Sequence, residues 1–149
     1  MRAAVLTVSD GVSAGTREDL SGDLLAERRT VPDDADTIEA ALHELAGSAE
    51  LVLTTGGTGF APRDVTPEAT ARVVERATPG LDEHMRAVSI AASPHGMLSR
   101  GRSGIAGSAL IVNFPGSPKA VRESFAVVGP TLGHAVTTLR GEDGRHGGD

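Results

Sequence analysis

The sequence contains no cysteine, tryptophan or tyrosine, and its only aromatic residues are Phe60, Phe114 and Phe125. Without thiols there is no disulfide, no thiolate metal site and no cysteine nucleophile. So few rings argue against a base-stacking platform for nucleic acid. Lysine is nearly absent as well: of 14 basic residues 13 are arginine, and the single lysine is Lys119. Twenty acidic residues outnumber them, for a net charge of −6, which opposes non-specific binding to a phosphate backbone. No apolar run reaches the ~18 residues that would suggest a membrane-spanning helix. Met1-Arg2 leads straight into an apolar stretch, without the basic segment of a secretion signal. The expectation is a cytoplasmic protein that contacts neither membrane nor nucleic acid. Backbone amides, hydroxyls and charges must then hold any ligand.

The 149 residues, 39% of them hydrophobic, suit one domain that buries roughly two-thirds of its unfolded surface. Residues 1–140 are expected to form that domain, and the Gly-rich charged tail 141–149 to be disordered. Residues 3–8 and 51–55 are short apolar runs that read as buried strands. Between them, a helix is expected from Leu20 to about Arg29, capped by Asp19 or Ser21. Another follows Pro32-Asp33-Asp34, carrying Ile38, Leu42 and Leu45 on one face and stopping at Gly47. Thr66 and Pro67 suggest a cap and first turn for a helix to about Ala77. The next helix carries Leu81, Met85, Val88 and Ala92, and Pro94 stops it. Residues 104–114 read as a β-hairpin around Gly107-Ser108. Ser117-Pro118 starts a helix that Gly129-Pro130 separates from a last one bearing Leu132, Val136 and Leu139. Strands alternating with amphipathic helices imply an α/β fold with a mostly parallel sheet.

Ligands of such sheets bind beyond the strand carboxyl ends, and three segments qualify. Thr55-Gly56-Gly57-Thr58-Gly59 can converge backbone amides on an anion, but lacks the Lys of a Walker loop and the third Gly of a dinucleotide fingerprint. The same loop serves equally as a tight strand-to-helix connection. Asp64 stands two residues before the expected cap, free to face a site or to act as an ordinary carboxylate at a helix start. Pro115-Gly116-Ser117 can hold an oxyanion on a rigid turn. Lys119 lies in the first helical turn, where the dipole disfavours a cation; it is either a phosphate ligand or a chance placement. Asp33 and Asp64 both precede helices, so one Mg²⁺ can bridge them with phosphate oxygens and water completing its shell. The five histidines show no metal-ligand spacing, and no Gly-x-Ser-x-Gly elbow occurs.

Taken in order, Ser9-Asp10, Asp19-x-Ser21-Gly22, Val31-Pro32-Asp33-Asp34, Leu53 to Gly59, Arg63-Asp64-Val65-Thr66-Pro67-Glu68-Ala69 and Pro115 to Ala120 are more specific than any one alone. Over roughly residues 3–140 the chain resembles the molybdenum cofactor biosynthesis family of MogA/MoaB type, the molybdopterin adenylyltransferases. The resemblance implies a three-layer α/β/α fold, a homotrimer, and Mg²⁺-dependent transfer of AMP from ATP to the terminal phosphate of molybdopterin, releasing pyrophosphate. It puts the two catalytic, metal-holding acids at Asp33 and Asp64. It puts substrate-binding loops at Gly56 to Gly59 and Pro115 to Lys119, with Ser9 and Asp10 also at the pocket. Family members carry a longer first helix and a strand before Val-Pro-Asp; the short segment from Leu24 to Val31 here leads to the expectation of a truncated sheet edge. Two other readings stay open from sequence: a non-catalytic molybdopterin carrier or scaffold, and an unrelated Mg²⁺-dependent phosphoanhydride hydrolase.

Overall fold

The computed structural model describes residues 1–9 and 26–142. Six strands form one sheet: β1 (Ala3–Val8), β2 (Ala26–Val31), β3 (Leu51–Thr55), β4 (Arg76–Ala77), β5 (Ser103–Ala106) and β6 (Ala109–Phe114). Four helices accompany them: α1 (Ala35–Ser48), α2 (Thr66–Val73), α3 (Pro79–Ala92) and α4 (Pro118–Leu139). A 3₁₀ turn spans Pro94–Leu98. The strand order is β2-β1-β3-β6-β5-β4. The first four strands run parallel, and β5 and β4 are each antiparallel to their neighbour.

Period-two alternation gives the central strands two apolar faces. Ala4, Leu6, Val8, Val52 and Ile111 face one side and pack against Ile38, Leu42 and Leu45 of α1 and Ala69 and Val73 of α2. Ala3, Leu51, Leu53, Leu110, Val112 and Phe114 face the other, against Val121, Val128, Leu132 and Val136 of α4, with Leu81 and Met85 of α3 beside them. The result is three layers with a core on each face. Each fully buried aliphatic side chain contributes about 1.5–3 kcal/mol, which holds the strand ends, and the loops after them, in fixed relative positions. The hairpin forms as expected, with Ala106 opposite Ala109 and Gly107 at φ +59.

Several local expectations are corrected. Residues 26–29 belong to strand β2, not to a helix; residues 20–25 and the caps Asp19 and Ser21 lie outside the described residues. Ala-Glu-Arg-Arg favours a helix locally, but six residues of β1 offer pairing that overrides this preference. The charged side chains suit an exposed edge, where Arg29 pairs with Glu27 and Glu44. The sheet edge is not truncated at this end, since all six residues of β2 pair with β1. Helix α1 runs past Gly47 to Ser48. Helix α2 starts with Val65 in the capping position rather than Thr66, and stops at Val73, leaving Arg76–Ala77 to pair with β5. Gly129-Pro130 does not divide the last helix: α4 is continuous over 22 residues. Val121, Ser124, Val128, Leu132 and Val136 form one buried stripe in phase on both sides of the exposed Pro130. Burying that stripe outweighs the lost backbone hydrogen bond.

Candidate active site at the strand carboxyl ends

Strands β2, β1, β3 and β6 are parallel, so their carboxyl ends open on one edge of the sheet. Ser9, Pro32-Asp33, Gly56 and Pro115 follow those ends directly. From β1 the next strand lies to one side, at β2; from β3 the next parallel strand lies to the other, at β6. This reversal between β1 and β3 is where α/β sheets hold ligands. Gly56 sits there with φ +94, and a Cβ on it would collide with the Val8 carbonyl. Gly57, at φ +69, has no room either, because its Cβ would meet the Thr66 hydroxyl. Only glycine permits both the positive φ and the close approach. The Gly56 amide donates to the Phe114 carbonyl at 3.2 Å, and a Cβ on Gly116 would lie 3.3 Å from Gly56 Cα. The ends of β1, β3 and β6 therefore meet at the glycine loop.

The two acidic residues before α1 have different environments. Asp34 is the helix cap: its Oδ2 accepts from the Thr37 amide at 2.9 Å and from Thr37 Oγ1 at 2.6 Å, and these bonds hold its carboxyl below the usual range. Asp33 is thereby left out of the capping. Partial burial raises its pKa, and the charge of Asp64 raises it further. Asp64 lies against the glycine loop: Oδ2 accepts from the Ala61 amide at 3.0 Å, and a Cβ on Gly59 would stand 2.8 Å from the same oxygen. A partly desolvated carboxylate beside a second negative charge suits a divalent cation. Among the described residues no three or more His, Asp or Glu side chains gather as a metal cluster. A hard cation here would draw its other ligands from water and substrate oxygens, which fits Mg²⁺.

Thr55 and Thr58 are buried beside the loop. Ser9 donates its amide to the Val31 carbonyl at 3.0 Å, tying the ends of β1 and β2. Ser117 caps α4 by accepting from the Ala120 amide at 3.2 Å, and its own O–H remains a donor. Lys119 stands apart from the buried groups, with its side chain 82% exposed and its ammonium 3.8 Å from Glu123. Asp10 lies outside the described residues.

Sequence reading missed three features. Arg100 reaches the glycine loop and the Asp64 segment from a distant part of the chain. Thr66 Oγ1 is buried under Gly57 without a hydrogen-bond partner among the described residues. Asn113 Nδ2 donates to Thr54 at 2.9 Å and Thr70 at 3.0 Å, joining β6, β3 and α2 beneath the loop. A polar Asn within an apolar strand was the one local signal; Arg100 offered none.

A glycine loop at a sheet switch point, flanked by two carboxylates, places the chain in the class of α/β proteins with a candidate ligand site at the strand carboxyl ends. Within that class the chain belongs to the family of the probable molybdopterin binding domain, whose model matches residues 4–134. It is 42% identical, over 93% of its length, to the molybdenum cofactor synthesis protein cinnamon of Drosophila melanogaster, of which it spans 25%. It is 40% identical to a molybdopterin adenylyltransferase of Helicobacter pylori, covering 92% of this chain and 86% of that one. The crystal structure of the molybdopterin biosynthesis enzyme MoaB from Thermus thermophilus superposes with a TM-score of 0.84 at 42% identity, over 94% of this chain and 96% of that one.

Proposed function

We propose that the protein is a molybdopterin adenylyltransferase, working in molybdenum cofactor biosynthesis. It transfers AMP from ATP to the terminal phosphate of molybdopterin and releases pyrophosphate. The observation that carries this reading is the glycine loop at the sheet switch point, with Asp64 held against it and Asp33 following the carboxyl end of β2 on the same edge of the sheet. The adenylyltransferase relatives, matched over most of their length, support it.

The reaction needs a phosphate nucleophile aligned with the α-phosphorus and neutralisation of the negative charge on the departing pyrophosphate. No side-chain nucleophile is required, which agrees with a chain free of cysteine. Backbone amides of Gly57 to Gly59 and the Pro115-Gly116-Ser117 turn hold phosphates, with Gly56 setting the turn and Thr55, Thr58 and Ser9 completing the substrate pocket. Lys119 approaches phosphate from the solvent side. Asp33 and Asp64 hold Mg²⁺, which when bound supplies positive charge to the phosphate oxygens. The enzyme acts in the cytoplasm as a homotrimer. No helix among the described residues is long and apolar enough to cross a membrane. Light scattering at three times the monomer mass checks the assembly.

The test is AMP transfer and pyrophosphate release with molybdopterin, ATP and Mg²⁺. Turnover that depends on the pterin supports the reading. Pterin binding without turnover would replace it with a carrier, and pterin-independent hydrolysis with a hydrolase. Asp64→Asn is expected to lower turnover by about 10²-fold or more while pterin affinity, measured by calorimetry, changes little. Unchanged turnover in Asp64→Asn would refute the metal assignment.

A further inference from the structure

We infer that Arg100 is a positioning residue that sets the orientation of the phosphate-binding amides and anchors Asp64. Four of its nitrogens are engaged on one small region. Its main-chain amide donates to the Thr58 carbonyl at 2.8 Å, and Nε to the Gly59 carbonyl at 2.8 Å. Nη2 donates to the Asp64 carbonyl at 2.6 Å, and Nη1 binds the Glu68 carboxylate. One side chain therefore joins the glycine loop, the Asp64 segment and the first turn of α2.

The consequence follows from peptide planarity. In a trans peptide the C=O and the N–H of the next residue point in opposite directions. Drawing the Thr58 and Gly59 carbonyls toward Arg100 turns the N–H groups of Gly59 and Phe60 away from it. Flexible glycines would otherwise sample many amide orientations, each weakening convergence on an anion. A guanidinium is suited to the task because its fork fixes several acceptors at once, whereas a lysine ammonium is a single point. Its own placement is fixed in turn: Arg86 of α3 donates to the carbonyls on either side, Ser99 at 2.9 Å and Gly101 at 3.2 Å. The hydrogen bond from Arg100 also holds the Glu68 carboxyl below its ordinary range, so the clamp persists into acid solution.

The inference rests on the phosphate-transfer reading for its rate consequences, but its test has arms independent of that reading. Arg100→Lys, which keeps the charge and loses the fork, and Arg100→Ala are compared with the wild type. Expected are a fall of about 10–100-fold in kcat, weaker binding of inorganic pyrophosphate by calorimetry, and faster amide exchange confined to residues 57–65. Exchange in β3 and β6 stays slow. Millimolar guanidinium restores part of the lost pyrophosphate affinity in Arg100→Ala and none in Asp64→Asn, a rescue that no loss of folding would give. Wild-type pyrophosphate binding and local exchange in both variants would overturn the inference, as would exchange that rises across the whole sheet in Arg100→Lys. A wild type without AMP transfer would defeat the functional reading alone, since pyrophosphate binding and exchange still report on the clamp.

Discussion

Asp34 uses its carboxylate to satisfy Thr37 at the start of α1, while Asp33, one residue earlier, has a raised pKa beside Asp64. The two shifts have opposite signs, and so do their effects on stability. Asp34, with a depressed pKa, contributes stability above the ordinary aspartate range and loses it as pH falls through the depressed value. Asp33 does the reverse: its protonated form suits the fold, and stability is lost as pH rises through the raised value. Asp34→Ala is expected to lower stability through loss of the helix cap, with turnover preserved. Asp33→Asn is expected to leave the metal-free protein within about 0.5 kcal/mol of wild type, or above it, and to remove AMP transfer. Denaturant unfolding and the transfer assay together check both. A marked loss of stability in Asp33→Asn would make that residue structural. The glycine loop and the two acids were legible in sequence because they sit in short contiguous motifs. Arg100 was not, because its side-chain partners lie 32 to 41 residues away and only the folded geometry selects it.

At the scale of elements, legibility follows from where the stabilising interactions lie. Strands β1, β3 and β6 bury every residue, and α1 carries a periodic apolar face, so local pattern suffices. Strand β2 carries no such pattern in Ala26 to Thr30; it is a strand because β1 pairs with it. Helix α4 shows the converse, since Gly129-Pro130 reads as a stop while the buried stripe beyond it keeps the helix going. Gly129 has a packing role there: a Cβ would come within 3.0 Å of the Phe125 ring, which stacks edge-on against Phe114 at 6.3 Å. Pro130 has none visible, being exposed and missing an N–H in mid-helix. Pro130→Ala is therefore expected to raise stability by about 1 kcal/mol. An upward shift of the thermal midpoint checks this, and a downward shift would show that the proline matters to assembly or to the unfolded chain.

The whole molecule poses an electrostatic problem that neither scale below it shows. The chain carries a net charge of −6, yet both proposed substrates are polyanions. That total already counts every arginine, and among the described residues four of them are held in local ion pairs: Arg29 with Glu27 and Glu44, Arg72 with Asp36 and Glu39, Arg100 with Glu68, Arg140 with Glu50 and Glu142. Phosphate recognition must then rest on short-range amides and on Mg²⁺ rather than on a steering field. Screening should relieve the net repulsion between enzyme and substrate, while buried-side amide contacts feel it little. Raising salt from about 10 to 150 mM, which shortens the screening length from ~30 to ~8 Å, is expected to leave kcat/KM for molybdopterin level or increase it at saturating Mg²⁺ and ATP. A steep fall across that range would instead mean that exposed cations such as Lys119 guide the substrate in, and that the surface field, not the amide cradle, dominates capture.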